Sequence, residues 1–209
     1  MALNINGFFP GKLEPNVTVG GCIDIFENAW PEPQKTIDLI EAECAKPNSD
    51  AYWQRAETVG DGVFQQARTN KVLPITHLAN STENSLLQNI HNQFNMLLLA
   101  TTIPYKHRYG IEEDLWHEHY TLLKYDAGQE YKLHYDSGTY LGRAISALVY
   151  LNNDYEGGEI EFPNFGAKIK PQPGMLILFP SNFAYAHIAH PITKGTKYSL
   201  VTWIKDRQV

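Results

Sequence analysis

The chain has 209 residues, 43% hydrophobic and 19% charged, a globular composition with enough apolar residues to build a buried core. Its formal charge of −6 is mixed along the sequence with no basic block, which argues against a phosphate-backbone binder and leaves nucleic acid an unexpected partner. Cys22 and Cys44 are the only cysteines, too few for a disulfide framework and without zinc or redox spacing, so both read as thiols of a reducing compartment.

The opening stretch "MALNINGFFPGKLEPN" has no basic n-region and no long apolar run, and nothing later approaches the roughly 18 apolar residues of a membrane span. A soluble, cytoplasmic protein with no membrane partner is expected. The first predicted element is a helix in "PEPQKTIDLIEAECAK", where Ile37, Ile40 and Cys44 recur at helical spacing after two prolines. The second lies in "STENSLLQNIHNQFNMLLLA". Leu86, Leu87, Ile90, Phe94, Leu97 and Leu98 form one stripe there, with Ser81 or Thr82 as N-cap and Glu83 in the first turn. His91 sits beside that stripe and reads as structural rather than as a ligand. Between the helices, "AETVGDGVFQQARTNK" has two glycines and little apolar periodicity, and reads as a hairpin or a loop able to cover a site.

From about residue 117 the texture changes to short β-branched and aromatic runs cut by turn residues. Eight strands are expected: "HYTLLKY", "YKLHYD", "RAISALVYL", "EIEF", "AKIK", "MLILF", "YAHIAH" and "KYSLVTWI". Eight strands suit a double-sheet jelly roll. The predicted fold is therefore mainly β with N-terminal helices, a double-stranded β-helix (jelly-roll, cupin-like) core buttressed by helices. One domain over residues 1–209 is expected, with 1–115 as helical support and lid region and 116–206 as the core.

Two clusters in the β region carry ligand chemistry. In "YKLHYD", strand alternation puts Lys132, His134 and Asp136 on one face and Tyr131, Leu133 and Tyr135 on the other. An imidazole and a carboxylate two residues apart can converge on one ion, although a lone H-x-D is a weak signal. In "YAHIAHPITKGTK", His187 and His190 are three apart and face opposite ways, so only one can join the cluster. Lys197 on the next strand adds a deep cation that neither zinc hydrolysis nor a structural zinc site needs. A small dianionic cosubstrate would need it. "HEHY" at 117–120 sets His117 and His119 on one strand face as a rival metal pair, without a carboxylate partner or downstream cation.

With "HYD" at 134–136 and "HIAHPITKGTK" at 187–197 in view, the sequence resembles the Fe(II)/2-oxoglutarate-dependent oxygenases, and within them the prolyl 4-hydroxylase branch. "KYDAGQEYKLHYDSG", "YEGGEIEFP" and "PGMLILFPS" are similar to further segments of that branch. The resemblance covers residues 117 to 204; upstream only "RTN" at 68–70 is similar. It implies His134, Asp136 and His187 as ligands of Fe(II), with Mn(II) as a substitute ion, and His190 as a strand or turn residue. It implies Lys197 as the anchor of the far carboxylate of 2-oxoglutarate, Tyr125 and Tyr150 as cosubstrate contacts, and Trp203 and Arg68 as substrate contacts. Aromatics in strands also read as ordinary core, and Gly157 and Gly158 as a simple hairpin turn.

The implied activity is hydroxylation of a substrate C–H bond, with a peptidyl proline as the expected substrate, O2 as oxidant, ascorbate as reductant, and succinate and CO2 as products. A free amino acid or small metabolite is the alternative substrate, and a non-catalytic metal-binding β-barrel the alternative class. A nucleic-acid demethylase would carry arginines where "KYSLVTWIKD" has a lysine and no arginine.

Overall fold

The computed structural model describes residues 13–47, 49, 51–56, 68–81, 84–138 and 142–206. In chain order the elements are β1 (Val17–Val19), β2 (Ile23–Phe26), α1 (Pro33–Cys44), β3 (Gln54–Arg55), β4 (Lys71–Leu73), α2 (Ile75–Ser81) and α3 (Ser85–Tyr109). There follow β5 (Leu115–His117), β6 (Thr121–Tyr125), β7 (Tyr131–His134), β8 (Arg143–Tyr150), β9 (Glu156–Gly157), β10 (Ile160–Phe162) and β11 (Ala167–Ile169). The chain closes with β12 (Leu176–Pro180), β13 (His187–Ala189), β14 (Ile192–Lys194) and β15 (Lys197–Asp206).

The strands form a large antiparallel sheet in the order β1-β2-β12-β8-β15-β6-β4-β3, with β5 also paired to β15, and a smaller sheet β11-β10-β13-β7; β14 and β9 pair separately. Alternation along the central strands decides what each face meets. Ala147 and Val149 of β8, Leu176 and Leu178 of β12, and Leu200 and Ile204 of β15 bury against Ile37 and Ile40 of α1 and Leu87, Ile90, Phe94 and Leu97 of α3. The opposite face of β12 and β8 packs Ile177, Phe179 and Tyr150 against Ile160 and Phe162 of the small sheet. These strands are covered on both sides, which is why "RAISALVYL" and "MLILF" read as nearly unbroken apolar runs. The result is the jelly-roll core with helices on one outer face, as expected, and all eight predicted strands are present.

Several details differ from the sequence reading: α2 was not expected, and the segments "NNDYEGG" and "PITKG", read as turns, contribute the paired strands β9 and β14. The N-terminal half is not helical alone: β1 and β2 extend the large sheet, and β3 and β4 continue its other edge. Runs of two to four residues are too short for period-2 alternation to stand out. The cap of α3 is Asn84, not Ser81 or Thr82. Asn84 Oδ1 accepts from the amides of Leu86 (3.1 Å) and Leu87 (3.2 Å), while Ser81 closes α2; Thr82 and Glu83 lie outside the described residues. The helix also runs past the predicted stripe through Pro104 to a left-handed Gly110. Proline leaves the carbonyl four residues back without its helical donor, and the amide of Leu13 supplies one to Ala100 O at 3.1 Å. Asn84 further ties α3 to α1 through Glu43 Oε1 at 2.8 Å. Asn84→Ala is expected to lower unfolding stability by about 1 kcal/mol, seen as a reduced urea midpoint at constant m-value.

Candidate metal centre

The floor of the jelly roll is built by β7 and β13, which pair antiparallel with His187 directly opposite His134. Asp136 lies two residues beyond His134, past the strand end, where its amide donates to Ser181 O at 3.1 Å. Three ligand atoms, one each from His134, Asp136 and His187, fall within 4.8 Å of one another. Among the described residues this is the single group of three or more such side chains able to hold an ion.

The imidazole tautomers follow from their partners. His134 Nδ1 lies 2.7 Å from Lys132 O, and His187 Nδ1 lies 3.1 Å from Tyr185 O. A carbonyl only accepts, so each Nδ1 carries the proton and each Nε2 presents a lone pair. Those nitrogens stand 3.7 Å and 3.9 Å from the two Asp136 oxygens, too far for hydrogen bonds. Burial, and then the neighbouring His187, push His134 down to about 3, so it is neutral at physiological pH. Burial alone would raise Asp136, but His187, His134 and the Ser146 hydroxyl outweigh it and hold the carboxyl below its usual range. The Asp136 carboxylate and the Nε2 atoms of the two imidazoles therefore face one point. That set fits a divalent cation of the iron or manganese type, and a ligand of each kind suits the two-histidine, one-carboxylate arrangement.

The support around the ligands was only partly visible in the sequence. Ser146 Oγ donates to Asp136 Oδ2 at 2.6 Å and lies 2.8 Å from Ser181 Oγ, so a chain of hydroxyls fixes the carboxylate. The signal was present: Ser146 is a lone hydroxyl inside an apolar strand. Arg143 Nη1 reaches Asp136 O at 3.3 Å, its guanidinium lies 3.6 Å from the Trp203 ring centroid, and Glu118 accepts from it at 2.9 Å and 2.8 Å. Neither Arg143 nor Glu118 was singled out from the sequence.

The ligands open into a cleft that continues to solvent. Arg68, Tyr125, Tyr131, Tyr150, Lys197 and Trp203 line it together with the three ligands. Lys197 opens β15, and alternation sends Lys197, Ser199, Val201 and Trp203 to the cavity while Leu200 and Ile204 go to the helices. Only 2% exposed, its Nζ donates to Gly158 O at 2.9 Å, beneath the rings of Tyr125 (5.1 Å) and Tyr150 (5.4 Å). Gly158 is more than a hairpin glycine. At φ +69, an added Cβ would stand 2.4 Å from Ile192 Cδ1 and 2.8 Å from the Tyr155 ring.

The structure brings together His134, Asp136, His187, Lys197, Tyr125, Tyr150, Trp203 and Arg68 around this one cavity. His190 points away and pairs with Glu161 at 2.6 Å. The rival pair does not form a site. His119 lies beyond β5 on the exposed surface, and His117 contacts Tyr120 OH at 3.0 Å. His91 packs in a tilted arrangement on the same Tyr120 ring, centroids 4.8 Å apart, as expected of a structural histidine. Strict alternation fails at Tyr131, whose ring stacks on His134 at 3.4 Å although the sequence placed it on the opposite face. The register shift between His187 and Ala189 accounts for this. The loop expected to cover the site falls largely on residues 57–67, outside the described residues.

Comparisons with known proteins point the same way. Residues 120–205 match the family described as the 2OG-Fe(II) oxygenase superfamily. An Arabidopsis thaliana protein described as probable prolyl 4-hydroxylase 9 is 33% identical over 137 residues, 52% of this chain and 44% of that protein. The chain spans about half the length of the curated relatives it matches. Among solved structures, a Pseudomonas putida prolyl-4-hydroxylase superposes with a TM-score of 0.62 at 20% identity, covering 89% of this chain and 93% of that one. A Trichoplax adhaerens prolyl hydroxylase in complex with a hypoxia inducible factor oxygen degradation domain peptide fragment gives 0.67 at 19% identity, covering 90% and 84%. No described helix is long and apolar enough to cross a membrane.

Proposed function

We propose that this chain is a prolyl 4-hydroxylase-like 2OG-Fe(II) oxygenase that hydroxylates a proline within a polypeptide and releases succinate and CO2, a reading supported by the superfamily match of residues 120–205 and by the similarity to prolyl 4-hydroxylases. The observation that carries the reading is the convergence of one carboxylate and two imidazoles on one point, with the buried Lys197 lining the same cavity.

In this reading His134, Asp136 and His187 hold Fe(II), and Lys197 holds the far carboxylate of 2-oxoglutarate between Tyr125 and Tyr150. When bound, Fe(II) with 2-oxoglutarate would supply the O2-dependent oxidation, with ascorbate as the expected reductant. The protein contributes position and charge. Lys132 O and Tyr185 O fix the histidine tautomers, and Ser146 and Ser181 orient the carboxylate. Arg143, neutralised by Glu118, braces Trp203 as a wall on the substrate side. Burial of Lys197 excludes water from the anchoring contact, where one cation opposite a carboxylate counts for more than at the surface. Residues 116–206 would form the catalytic unit and the N-terminal part its support.

A peptidyl substrate is supported by the prolyl hydroxylase names among the relatives and by the peptide bound to the Trichoplax adhaerens protein. The test is turnover with Fe(II), ascorbate and 2-oxoglutarate against proline-rich peptides and free amino acids, read by mass spectrometry. Proline-containing peptides are expected to gain one oxygen atom on proline with one succinate formed per event. Turnover of free proline or another small molecule while every peptide stays inert would replace the peptidyl reading with the small-molecule one.

A further inference from the structure

The cavity wall carries more positive charge than the proposed chemistry consumes. Among the described residues its lining holds two cations, Arg68 and Lys197, against one carboxylate, Asp136. Arg143 nearby is already balanced by the two-point contact with Glu118. A divalent ion adds two positive charges and the dianion of 2-oxoglutarate removes two, so the loaded site retains one surplus positive charge. Lys197 is matched to the cosubstrate. The surplus therefore resides on Arg68.

Arg68 is not a loose surface side chain. Its backbone pairs with Tyr131 as an isolated antiparallel bridge, and its Nε donates to Asn70 Oδ1 at 2.8 Å. Asn70 is fully buried and anchored in turn to Lys71 O at 2.9 Å. The guanidinium lies over the Tyr131 ring at 5.1 Å, on the same ring that stacks against His134 at 3.4 Å. Among the described residues no carboxylate lies within ion-pair distance of it, and its two terminal NH2 groups have no hydrogen-bond partner. A half-buried guanidinium held by one neutral amide and an aromatic face offers a two-pronged donor that matches a carboxylate.

We infer that Arg68 forms an anion subsite beside the metal centre and that the substrate presents a carboxylate to it. This rests on the proposed hydroxylase reading and narrows its substrate to an acidic one. The carboxylate has two possible sources of the same chemistry: an acidic side chain close to the target proline, or the α-carboxylate of a terminal or free proline. The subsite would be filled only by substrate, because Lys197 and the metal already take both ends of the cosubstrate.

The experiment measures binding as well as turnover. Fluorescein-labelled five-residue peptides with a central proline carry Glu, Gln or Lys at each neighbouring position in turn, and are titrated by polarisation against the Mn(II)- and 2-oxoglutarate-loaded protein and against the metal-free protein. L-proline and L-prolinamide serve as unlabelled competitors. At one position at least, Glu is expected to bind about ten- to a hundredfold tighter than Gln, with Lys weakest. If the carboxylate is the α-carboxylate, L-proline instead competes at least tenfold better than L-prolinamide. Arg68→Glu is expected to reverse the order in favour of Lys peptides, a reversal that loss of structure would not produce. Equal affinity for every charged and neutral pair, absence of binding by any probe, or an acidic preference unaltered in Arg68→Glu overturns the inference. Failure of metal or 2-oxoglutarate binding, measured separately, would count against the hydroxylase reading and leave the preference in the metal-free protein to be judged alone.

Discussion

Asp136→Ala is expected to abolish both retention of Fe(II) or Mn(II) and succinate formation, with metal affinity reduced at least about a hundredfold. The carboxylate supplies the only negative charge in the ligand set, and its removal leaves two imidazoles to hold a divalent ion. His187→Ala is expected to behave similarly. Ser146→Ala should have an intermediate effect, about ten- to a hundredfold in affinity, because it removes the 2.6 Å hydrogen bond that orients Asp136 while leaving all three ligands in place. His190→Ala is the internal control: its ring is engaged by Glu161, and metal titration should be unchanged. Equilibrium dialysis against Mn(II), followed by metal analysis, orders the four variants. Loss of metal in His190→Ala with retention in His187→Ala would overturn the ligand assignment.

The two histidines show what the sequence could and could not decide. Alternation alone established that His187 and His190 face opposite ways and that only one could join His134 and Asp136. The choice between them came from resemblance, and the geometric reason is the direct pairing of His187 with His134 across β7 and β13. Contacts between strands far apart in sequence are invisible to periodicity. For the same reason Ser146, Ser181 and Arg143 were not identified as supports of Asp136: Arg143 and Ser146 lie on β8 and Ser181 follows β12, segments that meet Asp136 only in the folded sheet. The parts that were legible are local: apolar runs doubly covered in β8 and β12, the stripe of α3, and the glycine-rich hairpin before β10. Where local rules misled, a tertiary contact had replaced them. Leu13 supplies the donor that lets α3 continue through Pro104, and a register shift turns Tyr131 onto His134.

Lys197→Ala is expected to weaken 2-oxoglutarate binding ten- to a hundredfold, about 1.5 to 3 kcal/mol, with Mn(II) affinity largely intact. The pH dependence gives a sharper test of the same contact. Burial, and then repulsion from Lys170, lower Lys197 to about 7 in the protein alone, against a smaller raising influence from Glu159. Burial keeps Tyr125 up at about 12 and Tyr150 well above its ordinary value, so neither phenol titrates in the neutral range. A carboxylate partner favours the ammonium, which raises the lysine in the complex above its value in the protein alone. Below about pH 7 both states are protonated and affinity is flat. Above it the amine must take up a proton to bind, so affinity falls by up to about tenfold for each further pH unit until the pKa of the complex is reached. Lys197→Arg, whose guanidinium stays charged, should flatten the profile even where it binds more weakly. Calorimetric titration of 2-oxoglutarate into the Mn(II)-loaded protein between pH 6 and 9, in buffers of different ionisation enthalpy, reads both the affinity and the proton uptake. A wild-type affinity independent of pH across that range, with no proton taken up, would remove Lys197 from the role of cosubstrate anchor.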